Sequence, residues 1–228
     1  MKKDTVLVVV AHPDDEVLGC GGTVKRLVQE GRRCHFLFLA DGVSSRHLSG
    51  PRLRKALSTR KRQAEAAARV LGARIVSFGT YPDNQMDTVP LLEIVKNIER
   101  VVDDVRPGVV FTHFAGDLNI DHSLTARAVL TACRPLAGSS AAQLLSCEIP
   151  SSTEWPVPGR SDVFRPAVFK DISRTVQYKL RALRAYGSEI KPFPHPRSLK
   201  AVSALSQVRG AQSGFCAAEA FHLMRARE

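Results

Sequence analysis

Runs of apolar residues alternate along the chain with segments whose apolar positions recur every three or four residues. The first kind is typical of strands buried on both faces, and the second of amphipathic helices that pack on a sheet. The predicted strands are 5–11, 34–40, 74–79, 108–113 and 141–147. The predicted helices are 17–31, 58–73, 89–105 and 121–135. This alternation predicts an α/β fold with a Rossmann-like, mostly parallel sheet and helices on both faces.

The pattern changes after residue 150. Residues 149–166 are rich in Pro and Ser and show no periodicity. Helices are predicted at about 173–187 and 197–208, and a short closing strand is predicted over 218–224. We therefore expect one domain spanning 1–228, with a core over about 1–150 and an irregular, partly helical C-terminal cap over about 151–228.

Composition narrows the class of protein. The chain has 228 residues, of which 44% are hydrophobic, and this is enough to form the core of an α/β domain. No apolar run reaches the roughly 18 residues of a membrane-spanning helix, so we expect no transmembrane segment. The five cysteines are widely spaced and form no CxxC pair, which argues against a disulfide framework or a thiolate zinc site. We expect a cytoplasmic protein with reduced thiols.

Positive charge is concentrated near residue 50. The net charge is +11, and no acid lies between Asp41 and Glu65. The basic residues of this stretch are Arg46, Arg52, Arg54, Lys55, Arg60, Lys61 and Arg62. Turn-forming residues over 42–51 predict a mobile loop for its first part. The stretch is either a solvated basic face or a flap over an anionic ligand.

Polar and ionisable residues follow four of the predicted strands, at the point where each strand ends. In an open parallel sheet the carboxyl ends of the strands lie at one edge, and ligands bind beyond that edge. These residues are His12, Asp14, Asp15, Glu16, Asp41, Asp83, Asn84, Asp87, His113, Asp117, Asn119, Asp121 and His122. The pattern therefore predicts one polar site assembled from four separate segments.

Three residues of this set have the chemistry of a catalytic zinc site. His12 and Asp15 lie three positions apart across a turn that contains Pro13, and His122 opens the helix after the fourth strand. Two imidazoles and one carboxylate leave a fourth zinc position for water. Asp14 adjoins Asp15, where it can accept a proton from that water. We therefore predict one Zn²⁺ per chain, with Asp14 as the general base.

The stretch AHPDDEVLGCGG, together with the later Asp-His pair, resembles the PIG-L/LmbE family of zinc-dependent N-deacetylases, which remove acetyl groups from amino-sugar derivatives. The stretch RQAEAAARVLGA is similar to the family's Arg-x-x-Glu helix, and CEIPSSTEW and PFPHPRS are similar to segments of one bacterial branch. Position by position, the resemblance implies zinc ligands at His12, Asp15 and His122 and the general base at Asp14. It also implies that Asp121 supports the last ligand and that Arg62 approaches the substrate.

The chain departs from the family pattern at one position. Many members read His-Pro-Asp-His where this chain reads Asn-Ile-Asp-His, and the first His is thought to stabilise the oxyanion formed during amide hydrolysis. Asn119 can donate a hydrogen bond there, but it carries no charge. His195 in PFPHPRS and His113 are the alternative candidates for this role. Asp117 and His113 are also candidates for substrate binding.

The predicted function is zinc-dependent hydrolysis of an N-acetylglucosamine-type substrate. The basic stretch favours an anionic carrier on that substrate, such as a nucleotide or a lipid phosphate. The predicted partner is therefore a small N-acetylated amino-sugar derivative rather than nucleic acid, and the resemblance leaves homo-oligomeric assembly open.

Two alternatives stay open at this point. A nucleic-acid-binding module fits the charge, but the chain has only three Tyr and one Trp and shows no recognition motif. A magnesium-dependent phosphoryl-transfer enzyme fits the paired Asp14 and Asp15. Against it, the chain has no P-loop, and imidazole ligands suit zinc better than magnesium.

Overall fold

The computed structural model describes residues 4–155 and 163–227. The strands of this part are β1 (Thr5–Val10), β2 (Arg33–Ala40), β3 (Arg74–Tyr81), β4 (Val109–His113), β5 (Gln143–Cys147), β6 (Val168–Asp171) and β7 (Ala218–Ala226). The helices are α1 (Asp15–Gln29), α2 (Gly50–Leu71), α3 (Leu91–Val105), α4 (Ile120–Ala132), α5 (Val176–Ala185) and α6 (Leu199–Ala211). Short 3-10 helices, Ser44–Arg46 and Met86–Thr88, precede α2 and α3. None of the described helices is both long and apolar enough to cross a bilayer.

The described strands form a mixed sheet in the order β3-β2-β1-β4-β5-β7-β6. Strands β1 to β5 run parallel, and β7 pairs antiparallel with both β5 and β6. Successive strands are added toward one edge of the sheet up to β3 and toward the other edge from β4 onward. Such a switch point, here between β1 and β4, opens a crevice beyond the carboxyl ends of the strands. The predicted α/β fold with a mostly parallel sheet is confirmed.

Helices cover both faces of the sheet, as the apolar run of β1 predicts. Alternate β1 residues Val6, Val8 and Val10 pack in one core with α1, α2 and α5. Leu7 and Val9 point the other way, into a core built with α3 and α4. Every residue of β1 is buried. The strand therefore has apolar neighbours on both sides, and its loops are held rigidly at the switch point.

Helix α2 begins at Gly50, eight residues before the predicted start. Pro51 lies in its first turn, where the missing N–H costs no hydrogen bond. The turn-forming residues that suggested a loop thus mark the start of a helix, because the Arg, Lys, Ala and Leu residues that follow are good helix formers. Most of the basic stretch lies on this helix, and the loop before it contains the 3-10 helix Ser44–Arg46.

The C-terminal third contributes more than helices and irregular chain. Strand β6 lies in a region for which no strand was predicted, and β6 and β7 extend the same sheet beyond β5. Helices α5 and α6 are present close to their predicted ranges, and α5 packs against α1 and α2. Part of the predicted irregular segment, 156–162, lies outside the described residues.

Candidate active site

The candidate site lies beyond the carboxyl ends of β1 and β4, where the sheet order reverses. The turn after β1 carries His12, Asp14 and Asp15, and α1 begins at Asp15. Asp14 has a φ of 132°, a region that favours glycine and that costs another residue on the order of 1–3 kcal/mol. Its backbone N–H donates to Glu16 Oε2 over 2.9 Å. The fold thus holds the Asp14 backbone in a strained conformation at the switch point.

Three of the predicted site residues converge on one small volume. Oδ2 of Asp15 lies 3.3 Å from His12 Nδ1 and 3.3 Å from His122 Nε2. One ligand atom from each of the three residues lies within 4.8 Å of the other two, a spacing that a single cation can span. All three residues are buried. The structure therefore brings together the three residues that the sequence suggested as metal ligands, from the turn after β1 and the first turn of α4.

Two polar atoms of this cluster have no hydrogen-bond partner among the described residues. They are Asp15 Oδ1 and His122 Nε2, and both are buried. A buried polar atom without a partner costs free energy, so such atoms are rare in folded proteins. A divalent cation held by the cluster would supply a partner of the kind that such atoms lack, and the imidazole and carboxylate donors are those that zinc prefers. The residues present therefore fit a zinc ion.

Carboxylates stand behind both imidazoles. Asp121 Oδ2 is 3.0 Å from His12 Nε2, and Asp117 Oδ1 is 3.2 Å from His122 Nδ1. Carboxylates in this position fix the orientation of a metal-ligating imidazole and raise its basicity. Burial alone would lower the pKa of His122, but Asp15 and Asp117 outweigh burial and raise it to about 9. The carboxylates thus favour positive charge at this place.

Asp117 and Asp121 are both committed to contacts inside the protein. Asp117 accepts hydrogen bonds from the hydroxyls of Ser152 and Thr153 in addition to its contact with His122. Asp121 accepts from the backbone N–H groups of Asn84 (2.7 Å) and Met86 (3.0 Å). This filled carboxylate makes a second grouping of His12, Asp83 and Asp121 a poorer cation site, although its donor atoms are also close enough. Asp117 was expected to contact substrate. Its hydrogen bonds and its contact with His122 instead point to a role in holding His122.

Asp14 is buried beside the cluster and contacts a residue that the sequence did not suggest. Burial and the neighbouring Asp15 raise the pKa of Asp14 to about 6, although Arg197 opposes the shift. Nη1 of Arg197 donates to Asp14 Oδ2 over 3.0 Å. Nε of the same guanidinium donates to Ser151 Oγ (2.7 Å) and to the Pro150 carbonyl (3.4 Å). Arg197 lies in PFPHPRS, the same segment that supplied His195 as a candidate, and this position was the signal that could have found it.

His195, which was singled out in that same segment, lies two residues before Arg197. Its Nδ1 accepts a hydrogen bond from the Arg197 backbone N–H over 3.0 Å. Within the described residues, His195 makes no hydrogen bond, ion pair or ring contact with His12, Asp14 or His122. The segment does reach the site, and the side chain by which it contacts Asp14 is an arginine.

Arg62 does not reach the site, whereas Arg60 does. Arg62 is exposed and donates to the hydroxyl of Thr59 on its own helix. Arg60 is 4% exposed and donates to the Pro13 carbonyl (3.0 Å) and to Glu189 Oε1 (2.5 Å). Side chains two positions apart on an α-helix point about 200° away from each other. Only one of the two arginines can therefore face the turn after β1. The expectation that Arg62 approaches substrate is therefore corrected in favour of Arg60 as the arginine near this turn.

Asn119 and His113 both have internal roles. Asn119 is the N-cap of α4: its Oδ1 accepts from the N–H groups of Asp121 and His122, and its Nδ2 donates to Asn84 Oδ1 over 2.8 Å. His113 is fully buried, stacks on the His122 ring at 3.9 Å and accepts from the Ala11 N–H. Burial and His122 lower its pKa to about 3, so its ring is neutral.

Glu16 is a further buried acid near the site, and the sequence analysis gave it no separate role. It is fully buried, and Tyr186 donates its hydroxyl to Oε1 over 2.6 Å. Burial raises the pKa of Glu16 to about 8, although the Tyr186 hydrogen bond acts in the opposite direction. Because Oε2 accepts the N–H of Asp14, Glu16 links the strained turn to α5 and the residues after it.

A Rossmann-like sheet with a cluster that could hold a cation and an adjacent acid at its switch point is the arrangement of a hydrolase that can use a metal ion. The family described as PIG-L, GlcNAc-PI de-N-acetylase, matches residues 7–133, which is more than half of the chain. The chain belongs to the PIG-L family, and it is a hydrolytic N-deacetylase.

Relatives across most of the chain support this assignment. A diacetylchitobiose deacetylase of Thermococcus kodakarensis is 30% identical over 195 residues, covering 81% of this chain and 69% of that protein. An uncharacterized deacetylase of Escherichia coli, YaiS, is 29% identical over 194 residues, covering 82% and 92%.

A similar solved structure carries a different activity. It is that of GalB, the 4-carboxy-2-hydroxymuconate hydratase of Pseudomonas putida. The two chains are 21% identical, with a TM-score of 0.79 and coverage of 99% of this chain and 98% of that one. This likeness concerns the fold alone. The fold therefore hosts more than one reaction, and the site residues have to carry the argument about this one.

Proposed function

We propose that this protein is a zinc-dependent deacetylase that hydrolyses the acetamide of an N-acetylglucosamine-type amino-sugar derivative. The observation that carries the proposal is the pair of unpartnered buried atoms, Asp15 Oδ1 and His122 Nε2, next to the buried acid Asp14. The amino-sugar part rests on the family and on relatives described as acting on diacetylchitobiose and on N-acetylglucosaminyl malate.

His12, Asp15 and His122 would hold one zinc ion per chain. A zinc ion held by three protein ligands would act as a Lewis acid and would lower the pKa of the water molecule bound to it to about 7. Asp121 and Asp117 support the two imidazoles from behind, so both rings keep the orientation that a ligand needs. Phosphoryl transfer with magnesium is less favoured, because two of the three donors are imidazoles.

Asp14 has the position and acidity of a proton carrier for amide hydrolysis. With a pKa near 6 it is mostly ionised at neutral pH, so it can accept a proton from the attacking water. The water oxygen bonds to the acetyl carbon, and the carbon–nitrogen bond then breaks. Protonated Asp14 passes the proton to the departing amine, so that acetate and a free amino sugar are released.

The first test replaces the proposed proton carrier. Asp14→Asn keeps the shape of the side chain but cannot accept a proton, so acetate release is expected to fall by about 10²–10⁴-fold. Zinc content, measured on protein purified without added metal, is expected to stay near one per chain. Acetate release is measured on free, nucleotide-linked and glycosidic N-acetylhexosamines. Undiminished turnover in this variant would show that Asp14 is not the base.

An anionic carrier on the substrate is the finer part of the proposal. Arg52, Arg54 and Lys55 lie in the first turns of α2 and are exposed, so their charges are available to a phosphate. Reversing all three to Glu is expected to raise KM for a phosphate-bearing substrate and to leave KM for a neutral N-acetylhexosamine unchanged. Equal KM values for the phosphate-bearing substrate before and after reversal would mean that this surface is only a solvated face.

A further inference from the structure

Arg197 has one nitrogen that the protein leaves available at the site. Nη1 contacts Asp14, and Nε contacts Ser151 and Pro150, but Nη2 has no hydrogen-bond partner among the described residues. The side chain is 23% exposed, while that of Asp14 is 4% exposed. A guanidinium is planar and rigid, so Nη2 projects beside the nitrogen that is bonded to Asp14. A charged donor is thus held next to the proposed base with donor capacity in reserve.

The other candidates for stabilising an oxyanion are occupied elsewhere. Asn119 uses its oxygen to cap α4, and its nitrogen donates to Asn84. His113 is fully buried, stacks on the His122 ring and accepts from the Ala11 N–H. His195 accepts from the Arg197 backbone and makes no hydrogen bond or ion pair with His12, Asp15 or His122 in the described part of the chain. In the described structure, the polar atoms of these three side chains that are named here are used in contacts within the protein.

We propose that Arg197 is a further catalytic residue, which donates from Nη2 to the carbonyl oxygen of the scissile acetamide as negative charge develops there. This inference rests on the proposed function. The contacts of Nε with Ser151 and Pro150 hold the guanidinium before substrate arrives, so little reorganisation is needed during the reaction. Hydrogen bonds between a charged donor and a charged acceptor are roughly twice as strong as neutral ones, and arginine does not titrate near neutral pH.

A second role for Arg197 predicts different behaviour and can be separated from this one. Arg197 also attracts the negative charge of Asp14, so a variant without it has a less acidic Asp14. If that were the whole effect, the lost activity would return as the pH is raised. A missing oxyanion donor, in contrast, lowers kcat across the whole pH range and leaves KM nearly unchanged.

The experiment compares Arg197→Ala, Arg197→Lys and His195→Gln with wild type on one N-acetylglucosamine substrate. For Arg197→Ala we expect kcat to fall about 100-fold at every pH tested, with partial recovery when methylguanidinium is added. Arg197→Lys keeps the positive charge but not the planar guanidinium. Its kcat is expected to lie between those of wild type and Arg197→Ala. His195→Gln is expected to lose less than Arg197→Lys.

The matched control is Arg209→Ala. Arg209 lies on α6 and forms an ion pair with Glu148, but it does not contact Asp14. Its removal changes a charge and an ion pair in the same part of the protein, and kcat is expected to remain within a few fold of wild type. Far-UV circular dichroism and zinc content of every variant check that the fold and the metal cluster are retained.

A binding measurement without turnover provides an independent readout. A methylphosphonamidate analogue of the substrate is tetrahedral and carries a negative oxygen where the oxyanion would form. Arg197→Ala is expected to lose affinity for this probe by the same factor as kcat/KM, with the affinity for the neutral product amine unchanged.

Three outcomes would overturn the inference. Recovery of Arg197→Ala at high pH would assign Arg197 to tuning Asp14 alone. Equal kcat in wild type and Arg197→Ala would remove Arg197 from the chemistry and leave the proposed function standing. No acetate release by wild-type, zinc-loaded enzyme from any N-acetylated amino sugar would overturn the proposed function, and the inference would fall with it.

Discussion

Two buried clusters of charged residues lie against helix α1, one at its start and one near its middle. The two clusters are built differently. At the start lie His12, Asp15 and His122, whose cluster leaves Asp15 Oδ1 and His122 Nε2 without partners among the described residues. Near the middle lie Lys179 and Glu219, each 4% exposed and 2.6 Å apart. Both clusters hold charge out of water at a high desolvation cost.

The Lys179–Glu219 cluster forms hydrogen bonds with backbone groups beside an irregular turn of α1. Cys20 has non-helical φ and ψ values of −146° and 18°, which interrupt the backbone hydrogen bonds of α1. Lys179 Nζ donates to the Leu18 carbonyl (2.8 Å), and Glu219 accepts the N–H groups of Gly22 (2.9 Å) and Thr23 (2.7 Å). The ion pair thus provides partners for backbone groups on either side of the break.

The difference between the clusters separates structure from function. The Lys179–Glu219 pair has a protein partner at hand for each charge, so no ligand is needed to complete it. The cluster around Asp15 has buried atoms without a hydrogen-bond partner, and one ligand atom from each of its three residues lies within the spacing that a cation can span. Buried charge alone therefore does not mark a functional site, whereas unsatisfied and convergent buried donors do.

Removing the metal is expected to have the largest effect, and only on the incomplete cluster. A chelator should abolish acetate release and lower the free energy of unfolding by about 4 kcal/mol relative to enzyme in zinc at 1,000 times its Kd. Added zinc should restore both, as followed by urea denaturation and acetate release.

His122→Ala provides the control for this measurement. With one ligand missing, its unfolding free energy should no longer respond to zinc or to the chelator. A wild-type unfolding curve that is the same with and without zinc would mean that the cluster does not bind this metal.

Breaking the complete cluster is expected to cost stability whether or not metal is present. Lys179→Met leaves Glu219 buried without its counter-charge, and the free energy of unfolding should fall by about 3–5 kcal/mol. The loss should be the same with zinc and with a chelator, since no zinc ligand is altered. Lys96→Met is the matched control: Lys96 pairs with Glu99 at the surface, where such a pair contributes about 0–1 kcal/mol. A loss in Lys179→Met as small as in the control would mean that the break tolerates the missing pair.

The smallest difference is expected between two arginines of α2. Arg60→Ala removes the donor that holds the Pro13 carbonyl in the turn after β1, and the unfolding free energy should fall by about 1–3 kcal/mol with some loss of turnover. Arg62→Ala should change the unfolding free energy by less than about 0.5 kcal/mol, because Arg62 is exposed. Equal effects on stability in the two variants would contradict the different surroundings of these side chains.

The gathering of His12, Asp15 and His122 was predictable because it follows from topology. Each lies in the connection that follows a parallel strand or in the first turn of the next helix, and all such positions meet at one edge of the sheet. Arg197 was not predictable in this way. It reaches Asp14 from a segment that follows α5, at a separation of 183 residues, and no local pattern records that approach.

Local patterns also leave the direction of a side chain undecided. Arg60 and Arg62 lie on one helix, two positions apart, and only the packing of α2 against α5 and the turn after β1 decides which of them is buried. Strand β6 has only four residues, so its period-two signal is too short to distinguish it from loop. Its pairing with β7 is what makes it a strand.

Alternating apolar runs and helical periods determined the α/β class by themselves, because a strand buried on both faces has to be apolar throughout. The residues that follow those strands likewise determined which imidazoles and carboxylates would meet. Only the tertiary structure decided that Arg197 contacts Asp14, that Asp117 faces His122 and that Lys179 and Glu219 mend α1. These contacts join residues far apart in sequence, and the partners that compensate the cost of burying each charge are brought together only by the folded chain.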